Sequence, residues 1–259
     1  MRADVYLCER GYAESRTRAA RLIDEGKVII DGCAIAKASE QISDGEHTVV
    51  ITERDRFVSR GGLKLLKALT AFDVSVKGKR CIDVGASTGG FTDCLLQHGA
   101  TCVYAVDSGS NQLHESLLRD ERVVSVEGFN ARNLSLQDFG VFSLAVMDVS
   151  FISQTVLHPN VAQVLDDGGV FISLIKPQFE AGRAALGKKG IVKDAKDRER
   201  AVTRVLESAQ ACGFEVVGVI ASPIEGGDGN REYLACFKRG GGSDAVSYKS
   251  RLNLRELCR

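Results

Sequence analysis

The feature that most constrains the fold of this chain is a glycine-rich turn between a short apolar strand and an apolar helix. The sequence predicts the strand from Arg80 to Val84, glycines at Gly85, Gly89 and Gly90, and the helix from about Phe91 to His98. Because glycine has no Cβ atom, the backbone of such a turn can approach a ligand closely. In an open α/β sheet, ligands bind at turns of this kind, outside the carboxyl ends of the strands. The turn therefore predicts a ligand site at one edge of an α/β sheet.

The spacing of the glycines narrows the class of ligand. The pattern Gly-x-x-x-Gly-Gly differs from the Gly-x-Gly-x-x-Gly of dinucleotide-binding enzymes, so it does not predict a pyrophosphate site. Asp83 precedes the turn and Asp107 ends the next predicted strand. Two such carboxylates suit a ligand with a ribose and a cationic amino-acid end. S-adenosylmethionine is a ligand of this kind, but the glycine pattern alone is equally typical of an ordinary strand–turn–helix corner.

The candidate cofactor contacts extend beyond the glycine turn. Phe129 and Asn130 follow the third predicted strand, where an adenine ring could stack and be hydrogen-bonded. The predicted cofactor-binding residues are Asp83, Gly85, Ala86, Ser87, Thr88, Gly89, Gly90, Phe91, Asp107, Phe129, Asn130 and Asp148.

Composition excludes several classes of protein. The 259 residues are 44% hydrophobic, yet no apolar run approaches the ~20 residues that span a bilayer. The N-terminus lacks the apolar core of a secretory signal. The eight cysteines include no Cys-x-x-Cys pair and no Cys/His cluster, so they indicate neither a zinc site nor a disulfide framework. The sequence therefore predicts a cytoplasmic protein with no metal and no membrane partner.

Charge is balanced globally but not locally. With 34 basic and 34 acidic residues, the net charge is zero, which taken alone argues against a nucleic-acid partner. Residues 182–204 are an exception, because eight of them are basic and three are acidic. Clustered positive charge is the footprint of phosphate binding. It is also typical of a solvated loop and helix face, so the charge count leaves both interpretations open.

From Phe57 onward, predicted strands alternate with helices, which favours a parallel sheet covered on both faces. Seven strands fit the common methyltransferase sheet better than the six of a dinucleotide fold. They are predicted at Arg80–Val84, Thr101–Val106, Val123–Val126, Leu144–Met147, Gly169–Ile175, Glu215–Ala221 and Tyr233–Lys238. We predict an N-terminal domain with its linker at 1–56, an α/β domain at 57–240 and a C-terminal tail of unknown role at 241–259.

The N-terminal region predicts a small α+β module. Ser15 is a candidate N-cap for a helix over Arg16–Glu25, which Gly26 ends. Short strands are predicted at 28–30 and 48–51, and residues 52–56 are the predicted linker. The region resembles the αL RNA-binding domain through the pattern Leu7-x-Glu9-Arg10-Gly11-x-x-x-Ser15-Arg16-x-x-Ala19-x-x-Leu22-Ile23-x-x-Gly26-x-Val28-x-Ile30-x-Gly32. The resemblance implies binding of structured RNA through the helix that carries the arginines. With basic residues of the second domain, the predicted RNA contacts are Arg10, Arg16, Arg18, Arg21, Arg60, Arg183, Lys188 and Lys189.

Four polar residues stand out at or near the ends of predicted strands. Asp148 ends the fourth strand, Lys176 ends the fifth, Glu232 opens the last, and Lys64 lies on an early helix. A lysine directly after a buried strand is unusual, because charged groups are seldom buried without partners. In chain order, Lys-Asp-Lys-Glu resembles the tetrad of FtsJ-type ribose 2′-O-methyltransferases. With the αL domain in front, the chain resembles the TlyA family, often labelled haemolysins. The segments that carry the likeness are Ser59–Leu65, Asp83–Thr92, Met147–Ser153 and Ile175–Glu180.

The resemblance implies methylation of a ribose 2′-hydroxyl, at cytidine in ribosomal RNA or ribosomal subunits. Such a hydroxyl is a poor acid, so a base must take its proton as the new bond forms. Lys176 can do so only when neutral, which burial and a second cation such as Lys64 favour. Asp148 and Glu232 are expected to orient the two amines.

Three other functions remain as alternatives at the level of sequence. A non-catalytic RNA-binding or assembly factor would keep the fold but need not keep the glycine turn and all four polar positions. A membrane-active haemolysin would need a spanning or strongly amphipathic basic segment, and none is evident. A base methyltransferase is expected to carry Asn/Asp-Pro-Pro-aromatic after the fourth strand, where this chain has Asp148-Val-Ser-Phe151.

Overall fold

A computed structural model describes residues 1–24, 27–43, 45–51, 57–226, 229–240 and 252–259 of the chain. The chain divides into two compact units, Met1–Asp55 and Arg56–Arg259. The predicted linker at 52–56 and the predicted helix end at Glu25 and Gly26 lie outside the described residues.

The first unit packs two helices against a three-stranded antiparallel sheet of order β2-β1-β3. Ser15 is the N-cap, as predicted, because its hydroxyl accepts a hydrogen bond of 3.2 Å from the backbone N–H of Arg18. Asp31 and Gly32 both have positive φ angles, of 48° and 79°, which suits the tight hairpin between β1 and β2. The elements are α1 (Ala3–Glu9), α2 (Arg16–Asp24), β1 (Val28–Ile30), β2 (Cys33–Ala34) and β3 (Val49–Ile51).

The second unit is built on a seven-stranded sheet of order β6-β5-β4-β7-β8-β10-β9. All seven predicted strands are present, with ends that differ by a few residues. They are β4 (Arg80–Val84), β5 (Cys102–Val106), β6 (Val123–Val126), β7 (Phe142–Met147), β8 (Leu165–Ile175), β9 (Phe214–Ala221) and β10 (Tyr233–Arg239).

The expectation of a parallel sheet is wrong at β10, which runs antiparallel to both β8 and β9. The connection explains the direction. Only residues 222–232 join β9 to β10, whereas a parallel neighbour needs a crossover of roughly a dozen residues or more, usually a helix. The reversal brings the beginning of β10 to the edge at which the other strands end.

Helices cover both faces of this sheet. Neighbouring residues of β4 alternate between two core clusters, with Cys81 in one and Ile82 in the other. The apolar residues Val202, Val205, Leu206 and Ala209 are buried in one of them. None of the helices in the described part of the chain is long and apolar enough to cross a bilayer. The helices are α3 (Gly61–Ala71), α4 (Gly90–Gln97), α5 (Glu115–Leu118), α6 (Leu136–Phe139), α7 (His158–Gln163), α8 (Pro177–Glu180), α9 (Ala195–Ala211) and α10 (Leu254–Leu257).

One of the eight basic residues in the stretch 182–204 is buried. Arg198 is 6% exposed, and its guanidinium donates to the backbone oxygens of Lys193 at 2.6 Å and Cys258 at 2.8 Å. Arg198 therefore joins the end of the chain to the start of α9. It does not contribute to a surface for phosphate, so the charge count of this stretch overstates its basic surface.

Candidate active site

The ends of three neighbouring strands meet at one edge of the sheet. The backbone N–H of Gly85 donates to Val106 at 2.8 Å, and that of Asp148 donates to Val84 at 3.0 Å. Gly85 has a φ of 85°, and a Cβ atom there would lie 2.6 Å from the carbonyl oxygen of Asp148. The turn after β4 therefore needs glycine, both for its left-handed backbone and for the close approach of the turn after β7.

A cavity of about 460 Å³ opens at this edge. Six of the predicted cofactor-binding residues line it: Gly85, Ser87, Asp107, Phe129, Asn130 and Asp148. Eleven further lining residues were not among the predicted contacts, and the five of them that are not aliphatic are Ser108, Gly109, Gln112, Ser150 and Phe151. Gly109 follows Asp107 by two residues, as Gly85 follows Asp83. This repeated spacing could have indicated Ser108, Gly109 and Gln112 from the sequence.

Asp107 organises one end of the cavity. Its carboxylate accepts hydrogen bonds from the backbone N–H groups of Ser87 at 2.8 Å and Gly109 at 2.7 Å. The next loop is fixed in a similar way by Glu127, and hydrogen bonds from the backbone N–H groups of Gln112, Leu113 and Asn111 lower its pKa. These carboxylates hold the loops after β4 and β5 in place around the cavity.

The other six predicted cofactor contacts do not line this cavity: Asp83, Ala86, Thr88, Gly89, Gly90 and Phe91. Phe91 is 3% exposed and packs in the core. Around Gly90, Ser59 Oγ and the backbone nitrogen of Gly62 occupy the space that a Cβ atom would fill. Phe91 and Gly90 therefore pack on the side of the turn that faces the core. Direct contact of these six residues with a cofactor stays a prediction.

Asp83 is the most deeply buried of these six side chains. It is 0% exposed, and its Oδ2 accepts a 2.7 Å hydrogen bond from the hydroxyl of Thr92 on α4. Burial raises the pKa of Asp83 to about 7, although the bond from Thr92 opposes the shift. The carboxyl therefore links the first strand of the site to the helix that follows it.

The four candidate catalytic residues form two lysine–carboxylate pairs. Nζ of Lys64 lies 2.5 Å from Oε2 of Glu232, and Nζ of Lys176 lies 2.5 Å from Oδ1 of Asp148. Tyr233 is paired with Ile175 across β10 and β8, so Glu232 and Lys176 are the next residues at the same end of these two strands. The reversed direction of β10 thus places Glu232, the second carboxylate, at the same edge of the sheet as the ends of β7 and β8.

The two pairs have different surroundings. The side chains of Lys64 and Glu232 are 11% and 2% exposed. The side chains of Lys176 and Asp148 are 12% and 21% exposed, and Asp148 lines the cavity. Lys176 Nζ also donates a 2.8 Å hydrogen bond to the hydroxyl of Ser150.

A buried carboxyl ties the two loops that carry the second pair. Glu180, on α8 just after Lys176, accepts hydrogen bonds of 2.6 Å from the hydroxyl of Ser153 and 2.8 Å from the backbone N–H of Gln154. Burial raises the pKa of Glu180, and these hydrogen bonds oppose the shift. The loop after β7 is thereby held against the segment after β8.

The predicted RNA contacts lie in both units. In the first unit, Arg16 pairs with the buried Asp4 at 3.2 Å, Arg10 lies 5.7 Å over the ring of Tyr6, and Arg18 and Arg21 are half-buried. In the second unit the predicted contacts are exposed: Arg60, Arg183, Lys188 and Lys189. Their contact with RNA stays a prediction.

The residues of the cavity suit S-adenosylmethionine. Val84, Val106 and Leu157 give it an apolar wall, while Asp107 supplies carboxylate oxygens at the end of β5. Phe129 and Asn130 offer an aromatic face and an amide after β6. A cationic nucleoside ligand needs this mixture of apolar wall, aromatic face and carboxylates.

Comparison with known proteins agrees with this geometry. Residues 57–239 match the family described as FtsJ-like methyltransferase, and residues 1–47 match the S4 domain. The 16S/23S rRNA (cytidine-2′-O)-methyltransferase TlyA of Mycobacterium tuberculosis is 45% identical over 90% of this chain and 88% of that protein. Hemolysin A of Brachyspira hyodysenteriae is 44% identical over 92% of this chain and 99% of that protein.

A solved structure extends the likeness to three dimensions. It is a hemolysin-like protein from Streptococcus thermophilus, 43% identical, with a TM-score of 0.77 over 100% of this chain and 94% of the other. The methyltransferase fold and the RNA-binding type of the first domain, both expected from the motifs, are thus confirmed. The chain belongs to the FtsJ-like methyltransferases and, within them, to the TlyA/hemolysin A family.

Proposed function

We propose that this enzyme transfers a methyl group from S-adenosylmethionine to the ribose 2′-hydroxyl of a cytidine in ribosomal RNA. The observation that carries the proposal is the position of Lys176, which is paired with Asp148 beside the cavity at the ends of β4, β5 and β7. The relative from M. tuberculosis is named for this reaction on cytidine of 16S and 23S rRNA. We therefore also propose a cytoplasmic location, with ribosomal RNA or ribosomal subunits as the partner, because ribosomal RNA is the substrate for which that relative is named.

The residues of the cavity divide the work between binding and chemistry. Asp107, Phe129 and Asn130 would hold the nucleoside part of the cofactor. When bound, S-adenosylmethionine supplies a methyl group that is already activated as a sulfonium. The protein must therefore align an oxygen with it and accept one proton, and alignment alone supplies roughly 7–11 kcal/mol in the best intramolecular cases.

Lys176 is the proposed base. In its neutral form it takes the proton of the 2′-hydroxyl, and the neighbouring carboxylate of Asp148 stabilises the ammonium that results. The pair of Lys64 and Glu232 is buried at the same end of β8 and β10 and joins α3 to the beginning of β10. DNA lacks the hydroxyl that is modified, so the chemistry itself selects RNA.

Two features favour RNA as the substrate. The first unit is an S4 domain whose α2 carries the arginines predicted to contact RNA. In the second unit Phe151 is 93% exposed and lines the cavity. The centroid of its ring lies 5.3 Å from that of Phe179. An exposed aromatic face of this kind can stack on an unpaired base, which is how single-stranded nucleotides are held beside a reactive site.

The proposal is tested by transfer of labelled methyl groups to purified ribosomal subunits and to naked ribosomal RNA. We expect label in RNA with the wild-type protein and none with Lys176→Ala, while both proteins bind S-adenosylhomocysteine with similar affinity. Lys67→Ala is the matched control. It makes the same lysine-to-alanine change at an exposed residue of α3 that belongs to neither lysine–carboxylate pair. Cofactor binding without label in any RNA would contradict the RNA substrate and direct attention to other methyl acceptors.

A further inference from the structure

Ser150 contacts the proposed base directly. Its hydroxyl accepts a hydrogen bond of 2.8 Å from Nζ of Lys176, which also lies 2.5 Å from Oδ1 of Asp148. Ser150 and Asp148 come from the same loop after β7, and both line the cavity. The amine is therefore held from two directions by one loop.

The two contacts of Nζ differ in kind, and the difference matters for a neutral amine. Besides its bond to carbon, such a nitrogen has three tetrahedral positions, of which two hold hydrogens and one holds the lone pair. The contact with Asp148 is an ion pair without the alignment of a hydrogen bond, so on its own it does not fix these positions. Ser150 accepts one hydrogen in an aligned bond and the carboxylate attracts the other, which leaves one position for the lone pair.

The loop that carries Ser150 is fixed at several points. Phe151, the next residue, has a φ of 64°, a left-handed conformation that costs a non-glycine residue energy and persists only where its surroundings impose it. Further along, Ser153 and Gln154 are bound to Glu180, which follows Lys176 by four residues. The position of the Ser150 hydroxyl relative to Nζ is thus determined by the fold.

We propose that Ser150 is a positioning residue that directs the lone pair of Lys176 toward the substrate hydroxyl. In the step that it serves, the hydroxyl proton moves to Nζ as the oxygen–methyl bond forms, the carbon–sulfur bond of the donor breaks with its electron pair left on sulfur, and Asp148 balances the new ammonium. This inference rests on the proposed function, because it needs Lys176 to act as the base.

The experiment compares wild type, Ser150→Ala and Ser150→Thr in methyl transfer to the RNA substrate found with the wild-type protein. We expect Ser150→Ala to lower kcat by about 10- to 100-fold, a fraction of a full general-base effect, with KM for RNA and affinity for S-adenosylhomocysteine within twofold of wild type. Threonine keeps the hydroxyl, so Ser150→Thr should recover most of the rate. Ser143→Ala is the control, because Ser143 bonds to Asp166 at the opposite end of β7.

The recovery by threonine and the separate effects on kcat and KM distinguish positioning from a general loss of structure. A disturbed fold would also weaken the binding of S-adenosylhomocysteine and lower the melting temperature. The inference is overturned if Ser150→Ala keeps the wild-type kcat, if only KM for RNA rises, or if threonine fails to recover the rate. An inactive wild-type protein would instead refute the proposed function.

Discussion

The two lysine–carboxylate pairs at the ends of β7, β8 and β10 use the same residue types but differ in their surroundings. Lys64 and Glu232 join α3 to the beginning of β10, and their side chains are 11% and 2% exposed. Lys176 and Asp148 lie beside the cavity, with Ser150 as an additional acceptor. A buried pair mainly matters for stability and geometry, because each charge would be costly without the other. A pair at a cavity can exchange protons with a substrate.

The largest expected effect separates the pairs by activity. Lys176→Ala should lower kcat by about 10²–10⁴-fold, the usual size of a general-base contribution, while thermal unfolding changes little. Single-turnover kinetics and a thermal melt measure the two quantities. A variant that stays within about tenfold of the wild-type rate, or ~1.4 kcal/mol of barrier, would contradict the assignment of the base.

For the buried pair of Lys64 and Glu232, we expect the main effect of a substitution on stability. Glu232→Leu leaves Lys64 without its carboxylate and should lower the free energy of unfolding by about 3–5 kcal/mol. Adding Lys64→Met removes the stranded charge, so the double variant should recover most of that loss in denaturant unfolding. A double variant as unstable as the single one would show that the pair does not act as a unit.

Asp83 sharpens the comparison, because it is a buried carboxyl whose described bond is to the hydroxyl of Thr92. Its pKa is raised to about 7 by burial, above the value near 4 of an unfolded chain. The folded state therefore holds this proton longer, and the contribution to stability is complete below about pH 4 and lost as the pH rises through about 7. Asp83→Asn should remove that loss, so its stability relative to wild type should increase by a few kcal/mol between pH 4 and pH 8. Unfolding curves across this range measure the difference, and a constant difference would contradict the raised pKa.

A smaller effect is expected from the carboxyl that holds the loop of the second pair. Glu180→Gln cannot accept both hydrogen bonds that Glu180 takes from Ser153 and Gln154, since one of its terminal groups is a donor. We expect kcat to fall about tenfold, or ~1.4 kcal/mol, with little change in cofactor affinity. An unchanged kcat would show that the loop keeps its position without this carboxyl.

The sequence predicted the elements of the fold better than the contacts between them. Alternating apolar runs and the glycine turn were enough to find all seven strands, because such patterns are local. The direction of β10 was missed, since it depends on how the chain returns from β9. The sequence predicted that Asp148 and Glu232 orient the two amines. It did not predict which lysine each carboxylate contacts, because the contact of Lys64 with Glu232 depends on that direction.

The same distinction holds within the site. Asp107 and Asp148 were found because they end strands, and the carboxyl ends of strands meet at one edge. Ser150 and Glu180 lie within motifs that resemble the family, but the sequence predicted no role for either, because a single serine or glutamate outside a regular apolar pattern has no periodic signal. Their roles follow from two side-chain contacts, with Lys176 and with Ser153, that the folded loops create.

The most direct test of the account is nucleoside analysis of ribosomal RNA after reaction with wild-type protein or with Lys176→Ala. The account predicts 2′-O-methylcytidine in the wild-type reaction and none with the variant, although both proteins bind the cofactor. A methylated base in place of a methylated ribose, or equal amounts of 2′-O-methylcytidine in both reactions, would contradict it.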